Sequence, residues 1–404
     1  MEYVCAFRGR RDYYQAPLAL SQAGLLDEFI TDAYAMPLLR FAANVCPLRL
    51  KEKIQFRYEP RIPNNRVQSL WGTTIIEHAY HRLGRAPSVT FAEFDPKFSL
   101  AAANRAARRR TNLFLYSPYA WEAFVAPYSH TPHKVMFQYH PHPDLEYRIL
   151  DEDRRKYPFV DKSFVEDTNL LVDAKTRHRT RDAWRHADLI LCASSFTKRS
   201  MLEIGVADAV CRIVPYGIDI LAPLTSLKSP ETFRVLFVGS GTQRKGLHHL
   251  VLAWRRAALP KNSKLTVICR TADPGIEALV NDNMGIDWIR GCTGKELTWH
   301  FLNSSLLAMP SLVEGFGQVF LEALALGCPV LGTPNSCLPD LGDESEGIYL
   351  TAPGNIEELA ARLEFLARIL PGNVSVRTTA KQCAERFPWH RFRSELIASL
   401  KASV

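Results

Sequence analysis

No apolar run in the 404-residue chain reaches the roughly 18–20 positions that a membrane-spanning helix needs, so no spanning segment is expected. The opening stretch, MEYVCAFRGRRDYY, has only a short apolar run, early charges and no small-residue cleavage site, so it reads as a first strand rather than a secretory signal. The nine cysteines contain no CxxC pair, and Cys5, Cys192 and Cys269 lie in apolar runs where a thiol behaves as a small hydrophobe. Reduced thiols, a cytoplasmic location and no zinc site are the expectation. The glycine-rich stretch GSGTQRKG (239–246) is neither GxGxxG nor a phosphate loop ending in GK[ST]. The strand-like run after it ends on Arg270 instead of an acidic residue, which disfavours a nicotinamide dehydrogenase. No aromatic-interleaved basic groove is present, so nucleic acid is not an expected partner.

Hydrophobic content of 47% with 23% charged residues is that of a globular protein, and the length favours two domains of about 200 residues each. The net charge of +8 falls mostly on the first half, with clusters at Arg105, Arg108, Arg109 and Arg110 and at Lys175, Arg177, Arg179, Arg181 and Arg185. Two readings stand: solvated helix faces, or attraction to anionic lipid headgroups or a phosphate-bearing acceptor.

Residues 1–222 read as a first domain. A strand over EYVCAF leads to the arginines Arg8, Arg10 and Arg11 around Gly9, then to a helix over APLALSQAGLL, capped by Gly24. Residues 37–98, rich in Pro, Arg and aromatics (Pro47, Pro60, Pro63, Trp71, Phe91, Phe94), show no readable order. TNLFLYS (111–117) and KVMFQY (134–139) read as buried strands. The second is followed by His140-Pro141-His142-Pro143-Asp144, two histidines held by prolines at a strand's carboxyl end. Asp151-Glu152-Asp153 matches a DxD metal triplet formally, but its charge-dense setting reads better as a solvated helix. ADLILCAS, a helix opening at Ser194–Thr197 and CRIVPY, closing on Gly217, form a βαβ unit. A linker is expected at about 220–232.

The second domain, 223–388, alternates strands (234–239, 264–270, 286–291, 347–353) with helices, as a doubly wound parallel sheet does. Its most informative stretch is LLAMPSLVEGFGQVFLEALALGCPVLGT (306–333): a buried strand, a glycine loop, a helix over about 318–326 stopped by Gly327, and another strand. The loop lies at the carboxyl edge of the sheet, where ligands of open α/β sheets bind and where the helix start favours an anion. Glu314 stands in that loop and Glu322 inside an otherwise apolar helix, where a carboxylate needs a partner such as a sugar hydroxyl. Arg244 and Lys245, placed at an expected helix start, could neutralise a diphosphate without a metal.

Glu314–x7–Glu322 within EGFGQVFLEALALGCPV resembles the signature of retaining nucleotide-sugar glycosyltransferases of the GT-B fold, family 4 (group 1), and the likeness extends over most of the chain. The resemblance implies two Rossmann-like domains facing a cleft, with residues 389–404, after Phe387-Pro388, forming a helix that crosses back to the first domain. It also implies a UDP- or GDP-sugar donor, metal-independent transfer of a hexose to a glycan or lipid-linked acceptor in envelope or exopolysaccharide synthesis, and peripheral contact with an anionic membrane. His140, Glu314, Arg244 and Lys245 would be catalytic. Glu322, Phe316, Gly317, Gln318, Val319, Gly239, Ser240, Gly291 and Cys292 would bind donor, and Arg10, Arg11 and His142 would lie on the acceptor side, with no metal ligand. Ser240 departs from the pattern, since many relatives carry arginine there; it keeps open a catalytically silent nucleotide-sugar-binding subunit, beside an epimerase or hydrolase of the same fold.

Overall fold

The computed structural model describes all residues except 37–40, 42–50, 52–53, 85–86, 169, 171, 220–227, 282–284 and 404. The expected boundary at 222/223 and most of the linker therefore lie outside the described residues, as does Pro47.

Two parallel sheets organise the chain. The first contains β1 (Tyr3–Ala6), β2 (Leu26–Thr31), β3 (Val67–Ser69), β4 (Asn112–Tyr116), β5 (Lys134–Gln138), β6 (Leu189–Cys192) and β7 (Cys211–Ile213), in the order β3-β2-β1-β4-β5-β6-β7. The second contains β8 (Arg234–Val238), β9 (Lys264–Ile268), β10 (Ile286–Ile289), β11 (Leu306–Ala308), β12 (Val330–Gly332) and β13 (Ile348–Leu350), in the order β10-β9-β8-β11-β12-β13. Helices cover both faces of each sheet, which is why strands such as YVCA, LILC and LLA are apolar without alternation and fully buried. In each sheet the order reverses beside the first strand, between β1 and β4 and between β8 and β11. The loops leaving those strands diverge there and open a crevice at the carboxyl edge.

The first domain departs from the sequence reading at its start. The helix ends at Gln22 and Gly24 turns the chain with φ 68°, so the Leu-Leu expected to close the helix instead leads into β2. The pattern of β2 is concealed because it carries Asp27 and Glu28, and Asp27 is fully buried against Arg105 (Oδ2 to Nε 2.8 Å).

The last helix, Trp389–Lys401, packs on the first domain as expected. Arg393 donates to Gln15 Oε1 at 2.5 Å, Trp389 meets Tyr13 edge to face at 5.9 Å, and Phe392 meets Phe137 at 6.1 Å. Its entry is pinned by Ile218 N–H to Phe387 O (2.8 Å), and a Cβ at Gly217 would lie 2.7 Å from the Trp389 backbone, so only glycine fits there.

Candidate active site

The second domain brings its cations and acid together at the β8/β11 crevice. Gly246, in the left-handed region at φ 69°, lets the loop after β8 press on the chain after β11, where a Cβ would stand 2.1 Å from Pro310 O. Leu312 N–H donates to Arg244 O (2.9 Å), and Arg244 Nη1 donates to Val313 O (3.2 Å). Lys245 Nζ and Arg244 Nη1 then converge on Glu314 Oε2, the latter at 3.4 Å. Burial alone would push the Glu314 carboxyl up, but Lys245 and Arg244 hold it down to about 2. Burial lowers Lys245 despite Glu314, and Arg244 is raised because Glu314, Asp167 and Glu146 outweigh its burial. One expectation changes: Arg244 and Lys245 occupy a single 3-10 turn, Gln243–Lys245, and the α-helix begins only at Leu247.

The helix Gln318–Ala325 starts on Gly317, at φ 87°. Phe316 is buried edge-on to Tyr216 (5.2 Å), Gln318 Nε2 donates to Gly217 O (2.6 Å), and Val319 is half-buried. Glu322 makes no hydrogen bond or ion pair among the described residues, and burial raises its carboxyl. It stands near Tyr13 of the first domain, whose hydroxyl is pushed up by burial and then by the Glu322 charge.

The first domain closes on this loop. Gly315 lies so near the end of β5 that a Cβ would be 2.0 Å from Tyr139 O, and its own carbonyl accepts from Ser194 Oγ (2.5 Å) and Thr197 Oγ1 (3.1 Å). His140 follows Tyr139 and faces Glu146 (Nδ1 to Oε2 3.5 Å). Beside them runs a cavity of about 830 Å³, lined among others by Arg11, Tyr139, His140, Glu146, Asp167 and Arg244. His140 and Arg244 thus reach it from facing domains.

The other expected residues divide. Arg11 lines the cavity, whereas Arg10 lies over the Phe56 ring at 4.4 Å. Gly239 donates to Ile268 O (3.1 Å), and half-buried Ser240 follows it in the loop after β8. Gly291 (φ 91°) and half-buried Cys292 follow β10, the edge strand. His142, expected on the acceptor side, does not line the cavity. It is buried and caps the helix Pro143–Lys156, with Nδ1 accepting from Asp144 N–H (3.2 Å) and Nε2 against Arg181 O (2.9 Å). The expected solvated helix over Asp151-Glu152-Asp153 needs the same correction. Asp151 pairs with Arg154 (3.0 Å) and Arg155 (2.6 Å), Glu152 with Lys156 (3.3 Å), and Asp153 turns inward.

Asp153 meets His248 Nε2 (3.1 Å), His249 Nε2 (2.7 Å) and Gln243 Nε2 (2.8 Å), all buried, in a junction between the domains. The ligand atoms of Asp153, His248 and His249 lie within 4.8 Å of one another. Burial and then His249 push His248 down to about 4, while the histidines hold Asp153 far below the usual carboxylate range against its burial. The sequence reading missed this junction, together with Glu146, Asp167, Ser194 and Thr197 as cleft residues, because each joins segments distant in sequence.

Part of each basic cluster is paired: Arg179 forks onto Glu122 (Nη2 to Oε2 2.7 Å) and Arg105 onto Asp27, Arg181 meets Asp144, and Arg185 meets Asp182 (3.1 Å). Among the described residues no helix is long and apolar enough to cross a membrane.

Residues 232–368 match the family model described as glycosyl transferases group 1. The chain is 23% identical over 231 residues to an MMP alpha-(1->4)-mannosyltransferase of Mycolicibacterium hassiacum, covering 54% of each. It spans about half the length of the curated relatives it matches. Among solved structures, sucrose-phosphate synthase from Thermosynechococcus elongatus superposes with a TM-score of 0.69 at 17% identity over 100% of both chains. WaaG, a glycosyltransferase involved in lipopolysaccharide biosynthesis, superposes with 0.62 at 14% identity over 98% of both. Anabaena HepE, solved in complex with UDP and glucose, gives 0.60 at 13% identity over 100% of both.

Proposed function

We propose, for a chain that has the GT-B fold and carries a group 1 glycosyltransferase second domain, that it moves a hexose from a UDP- or GDP-sugar to a glycan or lipid-linked acceptor with retention of configuration and without a metal ion. The observation that carries this reading is the convergence of Arg244 and Lys245 on Glu314, next to the helix start at Gly317 and across the cleft from His140.

The donor's diphosphate takes its place at the two cations and at the free N–H groups of Gln318 and Val319. Ribose hydroxyls donate to Glu322, which has no partner among the described residues, and hydroxyls of the transferred sugar reach Glu314. As the bond from the anomeric carbon to the phosphate oxygen breaks, its electron pair stays on that oxygen, where Arg244 and Lys245 stabilise the growing charge. The acceptor hydroxyl attacks the same face, and its proton passes to the departing phosphate oxygen. His140 orients the sugar at the reacting centre. Closure at Gly315 excludes water and assembles the site. A role in envelope or exopolysaccharide synthesis and peripheral contact with an anionic membrane belong to this proposal.

The test is diphosphate release from a panel of UDP-, GDP- and ADP-sugars with EDTA present, beside Glu322→Ala and Lys245→Ala. Release from one donor that survives EDTA and is lost in both variants supports the reading. The reading fails if no donor is turned over and none raises the melting temperature.

A further inference from the structure

Six guanidiniums line the cavity between the domains: Arg8, Arg11, Arg57, Arg177, Arg179 and Arg244. Four are neutralised within the fold. Arg8 pairs with Glu77 and with Asp95 (3.1 Å), Arg57 with Asp32 (3.0 Å), Arg179 with Glu122, and Arg244 with Glu314 (3.4 Å). Arg11 and Arg177 make no ion pair, and their guanidiniums donate no hydrogen bond, among the described residues.

Arg11 is the more telling of the two. It leaves β1 at the point where the first sheet reverses order, and its guanidinium sits over Tyr139 at 4.2 Å, with Tyr116 at 5.4 Å and Tyr119 at 5.9 Å from the ring centroids. The rings hold the cation in place and remove water from it, without supplying the fixed negative charge that a guanidinium out of water requires. The next residues, Asp12, Tyr13 and Tyr14, are all in the left-handed region, with φ of 49°, 52° and 64°. Three consecutive non-glycine residues in that conformation are strained by about 1 kcal/mol or more each. Asp12, tied to Tyr116, holds the turn that presents Arg11 to the cavity. Asp12 and Asp95 form no ion pair with Arg11; the Asp12 charge favours the guanidinium only at longer range, and burial pushes Asp95 up to about 7. The two lining carboxylates without an ion pair, Glu166 and Asp167, lie on the helix Asp161–Asp167, and Asp167 is near Arg244 and His140.

We infer that the cavity is the acceptor subsite and that it takes an anionic sugar, one carrying a phosphate or carboxylate, whose charged group binds Arg11 and Arg177. The inference rests on the glycosyltransferase reading for the word acceptor; the anion subsite itself does not. A bidentate oxyanion on Arg11 supplies the direct ion pair that its guanidinium lacks among the described residues, and the flanking tyrosine rings give a sugar ring a face to lie on. A hydroxyl of the same ligand then points towards Asp167 and His140, on the side of the reacting centre.

The same chemistry could come from the donor's diphosphate, so the experiment separates the two sources. Calorimetry on the full-length protein measures binding of glucose 6-phosphate and glucuronate, with glucose as the neutral control, both without nucleotide and with UDP or GDP at saturation. At least one anionic sugar binds with nucleotide present and glucose does not. Its affinity falls about ten- to hundredfold in both Arg11→Gln and Arg177→Gln, while nucleotide affinity stays within about twofold. Arg177→Gln reports independently if Arg11→Gln disturbs the strained turn. Anionic sugars binding no better than glucose, or equally well to wild type and both variants, would overturn the inference. Loss of nucleotide binding in Arg11→Gln with anionic-sugar binding intact would also overturn it and assign the cation to the donor. A wild type that binds anionic sugars but no nucleotide leaves the subsite standing and removes the transferase reading instead.

Discussion

Gly315→Ala tests whether the two domains must meet as closely as they do for turnover. The added Cβ would stand 2.0 Å from Tyr139 O, 2.8 Å from His140 Cα and 2.9 Å from Tyr139 C, all backbone atoms of the facing domain. Ordinary contact begins at 3.4 Å, so about 1.4 Å of separation must be found, and backbone cannot swing aside as a flexible side chain would. Gly315 is not held at positive φ, so alanine is free to adopt its conformation in an open protein. Overpacking of this kind costs about 1–3 kcal/mol, and stretching the Ser194 and Thr197 hydrogen bonds to the Gly315 carbonyl adds about 1 kcal/mol each. The total, about 3–5 kcal/mol, changes the closed-to-open ratio roughly 150- to 5000-fold. The assay pairs turnover with small-angle scattering. The variant should lose roughly 150-fold or more in kcat/KM, show a larger radius of gyration, and keep its nucleotide affinity within about twofold. The melting temperature should barely move, because the clash lies outside the second domain's own core. Wild-type turnover with unchanged scattering would refute the claim that close approach at Gly315 assembles the site.

Two further outcomes follow from buried charge elsewhere. Arg377 is 2% exposed and donates to the carbonyls of Ser304 (2.6 Å) and Leu302 (3.1 Å), so Arg377→Met leaves those acceptors unpaired. It should lower stability by about 3 kcal/mol in denaturant titration, and a loss under about 1 kcal/mol would contradict this account. The Asp153–His248–His249 junction predicts a pH dependence. Unfolded, His248 takes up a proton near its ordinary 6.5, but folded it does so only near about 4. Its contribution is therefore complete above pH 6.5 and is lost as the pH falls towards 4, with Asp153, held low, adding a loss in the more acidic range. Melting temperatures between pH 7.5 and 4.5 should fall less steeply in His248→Gln than in wild type, and parallel curves would remove His248 from the account.

Local sequence carried the second domain almost whole. Strands of pure apolar composition, glycines that stop or start helices and short regular spacings make strand and helix alternate, and the few strands of this domain form an open parallel sheet with its ligand edge at the loops. Glu314 and Glu322 were legible for the same reason: a carboxylate in an apolar helix beside a glycine loop is conspicuous in one dimension. β2 was not, since its buried Asp27 is acceptable only because Arg105, far away in sequence, reaches it.

What the tertiary structure alone decided is which charges find one another. Arg244, Lys245 and Glu314 sit near residues 240 and 314 yet meet because the order of strands puts the β8 and β11 loops side by side. His140 and His142 are two residues apart and equivalent in sequence, but one faces the cleft and the other is consumed in a helix cap. Arg105, Arg179 and Arg181 of the basic clusters meet acids from other segments, while Arg11 is left without an ion pair among the described residues and lies among tyrosine rings. Charge pairing acts over a few ångströms in space and is indifferent to distance along the chain, so composition reports the charges and only the fold reports their balance.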